Sequence, residues 1–244
     1  MNRLMTLCLA ALPGLWGPSV QAETVTVAVA ANFTAVAEEL AERFEAESGH
    51  EVVLSFGSTG QLFAQISQGA PFGVFLAADT ERPERAIADG FAVEGTFFVY
   101  AEGRLALYGL GRDLSDGRAA LAGDFQKLGI ADPAAAPYGK AAIETLGALG
   151  LFETVEPRLV QGESISQALQ FVESGNAELG FVAMSQVLGK ADIWAVPAAL
   201  HQPISQGAVL LQAGEGNAAA EGFLAFLQTD VAVGVIEAAG YSVP

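Results

Sequence analysis

Three times in its first ninety residues this chain runs a short apolar stretch into a turn of small residues and then into an amphipathic stretch. Thr24-Val25-Thr26-Val27-Ala28-Val29-Ala30 is rich in small and β-branched residues and reads as a strand. It stops at Ala31-Asn32-Phe33-Thr34, and a helix is expected from there to about Ser48-Gly49. Phe33, Val36, Ala37, Leu40 and Phe44 share one face of it, with Glu38, Glu39, Glu42 and Arg43 mostly opposite. Asn32 stands where an N-cap belongs, and Gly49 suits the C-terminal stop. The second unit is strand Glu51 to Phe56, the turn Gly57-Ser58-Thr59-Gly60 and a helix ending near Gly69. The third is strand Gly73 to Ala77, then Ala78-Asp79-Thr80, then a helix from Pro83 to Asp89. Repeated β-α units of this length imply an α/β fold, with a parallel sheet covered by helices on both faces.

After Gly90 the texture changes. Phe97 to Tyr100 and Leu105 to Tyr108 are extended runs separated by Ala101-Glu102-Gly103-Arg104, a short polar linker that marks a crossing into a second domain. There the order is strand Gly129 to Asp132, turn Ala136-Pro137-Tyr138-Gly139 and helix Lys140 to Leu149. Strand Leu159 to Gln161, the turn Gly162-Glu163-Ser164 and helix Ile165 to Ser174 follow, the helix burying Ile165, Ala168, Leu169 and Val172. Strands Leu179 to Ala183 and Ile193 to Val196 come next. Ile204 to Leu211 then returns the chain to the first domain, where helices from Ala218 onward pack. The expected division is a first lobe of residues 23–101 plus 204–244 and a second of residues 102–203, joined by two crossings that form a hinge beside a cleft.

The N-terminus carries an address. Met1-Asn2-Arg3 is a positive start, Leu4 to Gly17 is apolar, and Val20-Gln21-Ala22 supplies small residues for cleavage. Residues 1–22 therefore read as an export signal cleaved after about Ala22, since the apolar run is too short for a span and contains Pro13. Cys8 is the only cysteine, so the mature chain has neither disulfide nor thiol chemistry. No other stretch could span a bilayer, and a soluble periplasmic protein is expected. The net charge is −17, and cleavage removes only Arg3, leaving −18. Such a chain repels nucleic acid and anionic lipid. It need not repel a buried anion, because exposed carboxylates are screened beyond about 8 Å at physiological salt.

Four junctions remain: Asn32, Ser58-Thr59, Tyr138-Gly139 and Ser164-Ile165. Each lies between a strand end and a helix start, the edge where ligands sit in open α/β sheets. Two would come from each lobe, so closing the cleft could aim four helix N-termini, with their free N–H groups, at one anion. None carries Lys or Arg, and Lys140 falls one turn in. Each residue also has an ordinary role: Asn32, Ser58, Thr59 and Ser164 as caps, Tyr138 and Ile165 as packed side chains with only their N–H groups to offer. An exported enzyme is the other reading to weigh. His50 and His201 are the only histidines and sit in separate turns, Asp79 is a lone carboxylate, and no nucleophile elbow or metal-ligand spacing appears. No catalytic residue is assigned.

Ala30-Ala31-Asn32-Phe33, Phe56-Gly57-Ser58-Thr59-Gly60, Gly69-Ala70-Pro71, Ala136-Pro137-Tyr138-Gly139, Leu179-Gly180-Phe181-Val182-Ala183 and Ala238-Ala239-Gly240-Tyr241 resemble, in order and over nearly the whole mature chain, the periplasmic molybdate-binding proteins of ABC importers. The resemblance implies the type II periplasmic-binding fold and a monomer that captures molybdate or tungstate and delivers it to a membrane ABC permease. No cofactor and no direct metal ligand is implied, since the metal arrives inside its oxyanion. The positions that match the family's contacts are Asn32, Thr59, Tyr138 and Ile165, the last two through backbone N–H groups, with Ala31 and Ser58 as additional candidates. Ala31 stands where some members carry Thr, and Ala183 where others place a Tyr that reaches the ion. A receptor for another tetrahedral oxyanion such as sulfate is the alternative within the same class.

Overall fold

The computed structural model describes residues 22–244, so all but the last residue of the expected export signal lies outside the described residues. Ten strands and nine α-helices follow in chain order among them. The first lobe opens with β1 (Thr24–Ala30), α1 (Thr34–Ser48), β2 (Glu51–Gly57), α2 (Thr59–Ser67), β3 (Val74–Leu76) and α3 (Glu81–Ala88), and then β4 (Phe98–Gly103). The second holds β5 (Leu105–Tyr108), α4 (Gly117–Ala122), β6 (Leu128–Ala131), α5 (Pro137–Ala148), α6 (Phe152–Val155), β7 (Leu159–Gly162), α7 (Ile165–Glu173), β8 (Leu179–Ala183) and β9 (Ile193–Ala195). The chain returns through β10 (Ile204–Leu210) and ends in α8 (Ala218–Phe226) and α9 (Asp230–Ala238).

The strands form two five-stranded mixed sheets, in the orders β2-β1-β3-β10-β4 and β7-β6-β8-β5-β9. The three leading strands pair in parallel, as β-α repetition requires, whereas β10 runs antiparallel to both β3 and β4. Helices cover both faces of the first sheet. Val27, Val29, Leu76 and Leu210 pack with Phe33, Leu40, Phe44, Phe223 and Ile236 on one side. Ala28, Phe75 and Val209 pack with Leu62 and Ile66 on the other. Burying each of these large apolar side chains contributes about 1.5–3 kcal/mol. In α1 the expected stripe is the buried one, and Gly49 closes the helix in the left-handed conformation, its N–H donating to Glu45 O at 2.9 Å.

The linker expected at Ala101 to Arg104 is mostly strand. Glu102 and Gly103 pair with Ser205 and Ile204, and only Arg104 separates β4 from β5. The two crossings are thus side by side, because Gly103 leaves the first sheet opposite the point where Ile204 re-enters it. Two short helices, α4 and α6, were not expected from the sequence; each spans at most two turns, too few for a periodic pattern to emerge. No single helix among the described residues is long and apolar enough to cross a membrane.

Candidate functional site

The C-terminal ends of β1, β2, β3, β6 and β7 converge where the lobes meet. Ala30, Ala31, Asn32, Ser58, Thr59, Ala78, Ala136, Pro137, Tyr138 and Ile165 line one small cavity there, of about 10 Å³. All four junctions singled out in the sequence, and Ala31 and Ser58 with them, are brought together. None of the lining side chains is charged. All but Pro137 are nearly sealed from solvent: Asn32 is 4% exposed, Ser58 3%, Thr59 1%, Tyr138 1% and Ile165 3%.

Hydrogen-bond donors stand among the alanines, the proline and the isoleucine of this lining. The backbone N–H groups of Asn32, Thr59, Tyr138 and Ile165 have no partner among the described residues. For Thr59, Tyr138 and Ile165 the reason is position, since the first N–H groups of a helix have no carbonyl behind them. The hydroxyls add to this. Ser58 stands at the N-cap of α2 in extended conformation and in the arrangement of a capping box with Gln61, whose Oε1 accepts from its N–H at 3.4 Å, but Ser58 Oγ itself makes no hydrogen bond and is buried with no partner. Thr59 Oγ1 accepts from Ala78 N at 3.0 Å and keeps its hydrogen free. Ser58 holds the N-cap position expected of it, without a hydrogen bond from its side chain to close the cap. Ser164 closes its cap, accepting from Gln167 N at 3.3 Å.

Asn32 departs from expectation. Residues Ala31–Phe33 form a 3-10 turn, α1 starts only at Thr34, and the Asn32 side chain makes no capping bond. It points instead into a buried polar cluster, with Nδ2 donating to Gln206 Oε1 at 2.8 Å and to Tyr241 Oη at 3.1 Å. Tyr100 Oη donates to the same Gln206 Oε1 at 3.2 Å, and Tyr241 Oη donates to Asn32 O at 2.8 Å. Asn32 can therefore offer the cavity its N–H, not its amide. Burial pushes the Tyr241 hydroxyl up to about 12. Burial first, and the neighbouring tyrosines second, hold Tyr100 and Tyr138 well above the ordinary 10. The cluster stays neutral, so no tyrosinate stands behind the donors. Gln206 and Tyr100 escaped the sequence reading because their partners lie 174 and 106 positions away; a register slip of β10 at Gln206/Gly207 was the structural sign that no composition carries.

The Tyr138 ring crosses toward the hinge. Its hydroxyl is buried without a partner, and a Cβ placed on Gly103 would collide with it. Outside the cavity the lobes touch directly. Gly60 N donates to Ala135 O at 2.8 Å, and Arg82 Nη2, held by a carboxylate pair with Asp79, donates to Ala134 O at 3.0 Å. Asp79 also caps α3, accepting from Arg82 N at 3.0 Å, so this carboxylate is fully engaged. His50 Nδ1 accepts from Glu23 N and stacks on Phe44, and His201 Nδ1 sits 2.7 Å from Gln202 O; neither is near the cavity. No group of three or more potential metal-ligating side chains occurs among the described residues.

Comparison with known proteins agrees with this geometry. The profile of the family described as "Bacterial extracellular solute-binding protein" matches residues 25–242. The molybdate-binding protein ModA of Rhodobacter capsulatus is 48% identical over 236 residues, covering 96% of this chain and 93% of that one. The ModA of Azotobacter vinelandii is 46% identical over 245 residues, covering 98% and 97%. The solved periplasmic molybdate-binding protein of Azotobacter vinelandii superposes with a TM-score of 0.85 at 38% identity, over 90% of this chain and 99% of that one.

Proposed function

We propose that this chain, which belongs to the bacterial extracellular solute-binding proteins and among them to the periplasmic molybdate-binding proteins, captures molybdate or tungstate in the interlobe cavity and delivers it to an ABC permease. Its fold is the type II periplasmic-binding fold, two lobes of mixed sheet and helix about a hinge of two crossovers. The observation that carries the reading is the donor set. Four unpartnered N–H groups, from Asn32, Thr59, Tyr138 and Ile165, and the hydroxyls of Ser58 and Thr59 surround a space with no acceptor carboxylate and no cation.

A hydrogen bond to a charged group contributes about 1.5–3 kcal/mol net. Six of them exceed the roughly 8 kcal/mol of micromolar binding, and the surplus offsets desolvation and domain closure. The ends of α2, α5 and α7 add favourable dipoles at the same point. Donors without acceptors select a fully ionised oxyanion, because the proton left on phosphate would meet only other donors. Sulfate carries the same charge with shorter bonds, so size decides against it in a cavity that closes on the longer metal–oxygen distances. The protein acts as an exported, monomeric receptor and performs no chemistry on its cargo.

Calorimetric titration of the ligand-stripped mature protein with molybdate, tungstate, sulfate and phosphate tests this. One-to-one binding of the first two at micromolar or tighter affinity is expected. Silence toward both, or tighter binding of sulfate, overturns it.

A further inference from the structure

The wall of the cavity at Ala31-Asn32 is a single peptide unit with a second lobe pressed against its back. Ser166 Oγ, on α7, donates to Ala31 O at 3.0 Å across the interlobe boundary, beside Thr34 Oγ1, which donates to the same oxygen at 2.9 Å from within the first lobe. Behind it Gln186 Nε2 donates to Ser166 Oγ at 3.0 Å, and Gln186 Oε1 is itself fixed by Ala183 N at 3.1 Å. Ala31 and Asn32 line two recesses: the donor cavity, and a second one formed with Ser166, Ser185 and Gln186. In a trans peptide the C=O and N–H point in opposite directions, and no cis peptide occurs among the described residues. With its carbonyl turned to Ser166, this peptide must turn the Asn32 N–H to the other recess, the one that holds the donors.

We propose that Ser166 is a positioning residue for anion capture: from the second lobe it adds a second clasp to the Ala31 carbonyl that Thr34 already holds, fixes the aim of the Asn32 N–H at the ion, and does so only when the cleft is shut. The proposal rests on the receptor reading above. The cavity's lining is so nearly sealed that an ion enters only by separation of the lobes, and separation breaks the Ser166–Ala31 bond, whose two ends lie on different lobes. The clasp therefore contributes to the bound state and not to the open one. The row Gln186 N–H to Ser166 O–H to Ala31 C=O also polarises the peptide in the sense that strengthens its N–H as a donor.

Calorimetry on the mature protein with molybdate, alongside thermal melts without it, separates this role from a structural one. Ser166→Ala is expected to weaken binding about five- to tenfold, the loss of one hydrogen bond, with the ligand-free melting temperature unchanged. Ser166→Thr, which keeps the hydroxyl, is expected to restore affinity to within about twofold of the wild type. Wild-type affinity in Ser166→Ala, equal weakening in Ser166→Thr, or a matching fall in the ligand-free melting temperature overturns the clasp alone. A wild-type protein silent toward molybdate overturns the receptor reading and the clasp together.

Discussion

Ser58→Ala separates two jobs that a hydroxyl at the head of a helix can do. If Ser58 capped α2, its removal would cost about 0.5–2 kcal/mol of stability and leave binding untouched. The proposed reading gives it the other job, supported by Ser58 Oγ having no partner although the residue is 3% exposed at the cavity wall. Nothing in the protein is lost with it, so ligand-free stability should stay within about 0.5 kcal/mol of the wild type. One hydrogen bond to a dianion is lost, about 1.5–3 kcal/mol, which corresponds to a roughly ten- to hundredfold rise in Kd for molybdate. Urea unfolding without ligand and calorimetry with it give the two numbers on the same preparation. A variant destabilised by a kilocalorie or more that binds like the wild type would refute the reasoning, and α2 would then be capped after all.

Gly103→Ala should leave each lobe folded but weaken molybdate binding by an order of magnitude or more, because the new methyl meets the Tyr138 hydroxyl when the lobes close. Small-angle scattering should show a protein that stays extended with ligand present. Tyr138→Phe should bind within about threefold of the wild type and be no less stable, since that hydroxyl is buried and unpartnered and the N–H is the donor; calorimetry and melting curves check both. Asn32→Ala removes the amide shared by Gln206 and Tyr241 and should cost about 2 kcal/mol of stability in urea unfolding, a loss that Ser58→Ala does not share. In alkali the unfolded tyrosines ionise near 10 while folded Tyr241 holds its proton to about 12. Stability from this residue is complete below about pH 10 and lost as pH rises through 12, about 2–3 kcal/mol by urea unfolding across that range. Affinity, by contrast, should be flat from about pH 7 to 9, because no lining group titrates there.

The sheet and the site were legible to different depths. β1 spans the same seven residues that its run of Val, Thr and Ala marks out, and the stripe of α1 is the buried one. Local periodicity dominates there. The convergence of the candidate residues was also readable, because strand ends and helix starts coincide in sequence at Asn32, Ser58, Tyr138 and Ile165 and the α/β topology carries them to one edge. What each residue does there was not. Asn and Ser before a helix are capping residues by propensity, and at Asn32 tertiary contacts override it. The Asn32 amide is claimed by Gln206, and the Ser58 hydroxyl is left without a partner at the cavity wall. The crossing was misplaced for a similar reason. Ala101-Glu102-Gly103 has the composition of a linker, but Ser205 and Ser242 supply Glu102 with partners from elsewhere in the chain.

Because Gly103 and Ile204 are paired neighbours, both connections between the lobes pass through nearly the same point. Two links so close together permit rotation and resist sliding, so the relative position of the lobes reduces to one angular coordinate. A small ion that lets Ser166 reach Ala31 and Gly60 reach Ala135 ends the swing at a single value. A bulkier one holds the rim apart and stops it short. On the proposed reading, the outer surface formed jointly by the two lobes is then a gauge of the cargo's radius, and a transporter docking on that surface would sort ions it never touches.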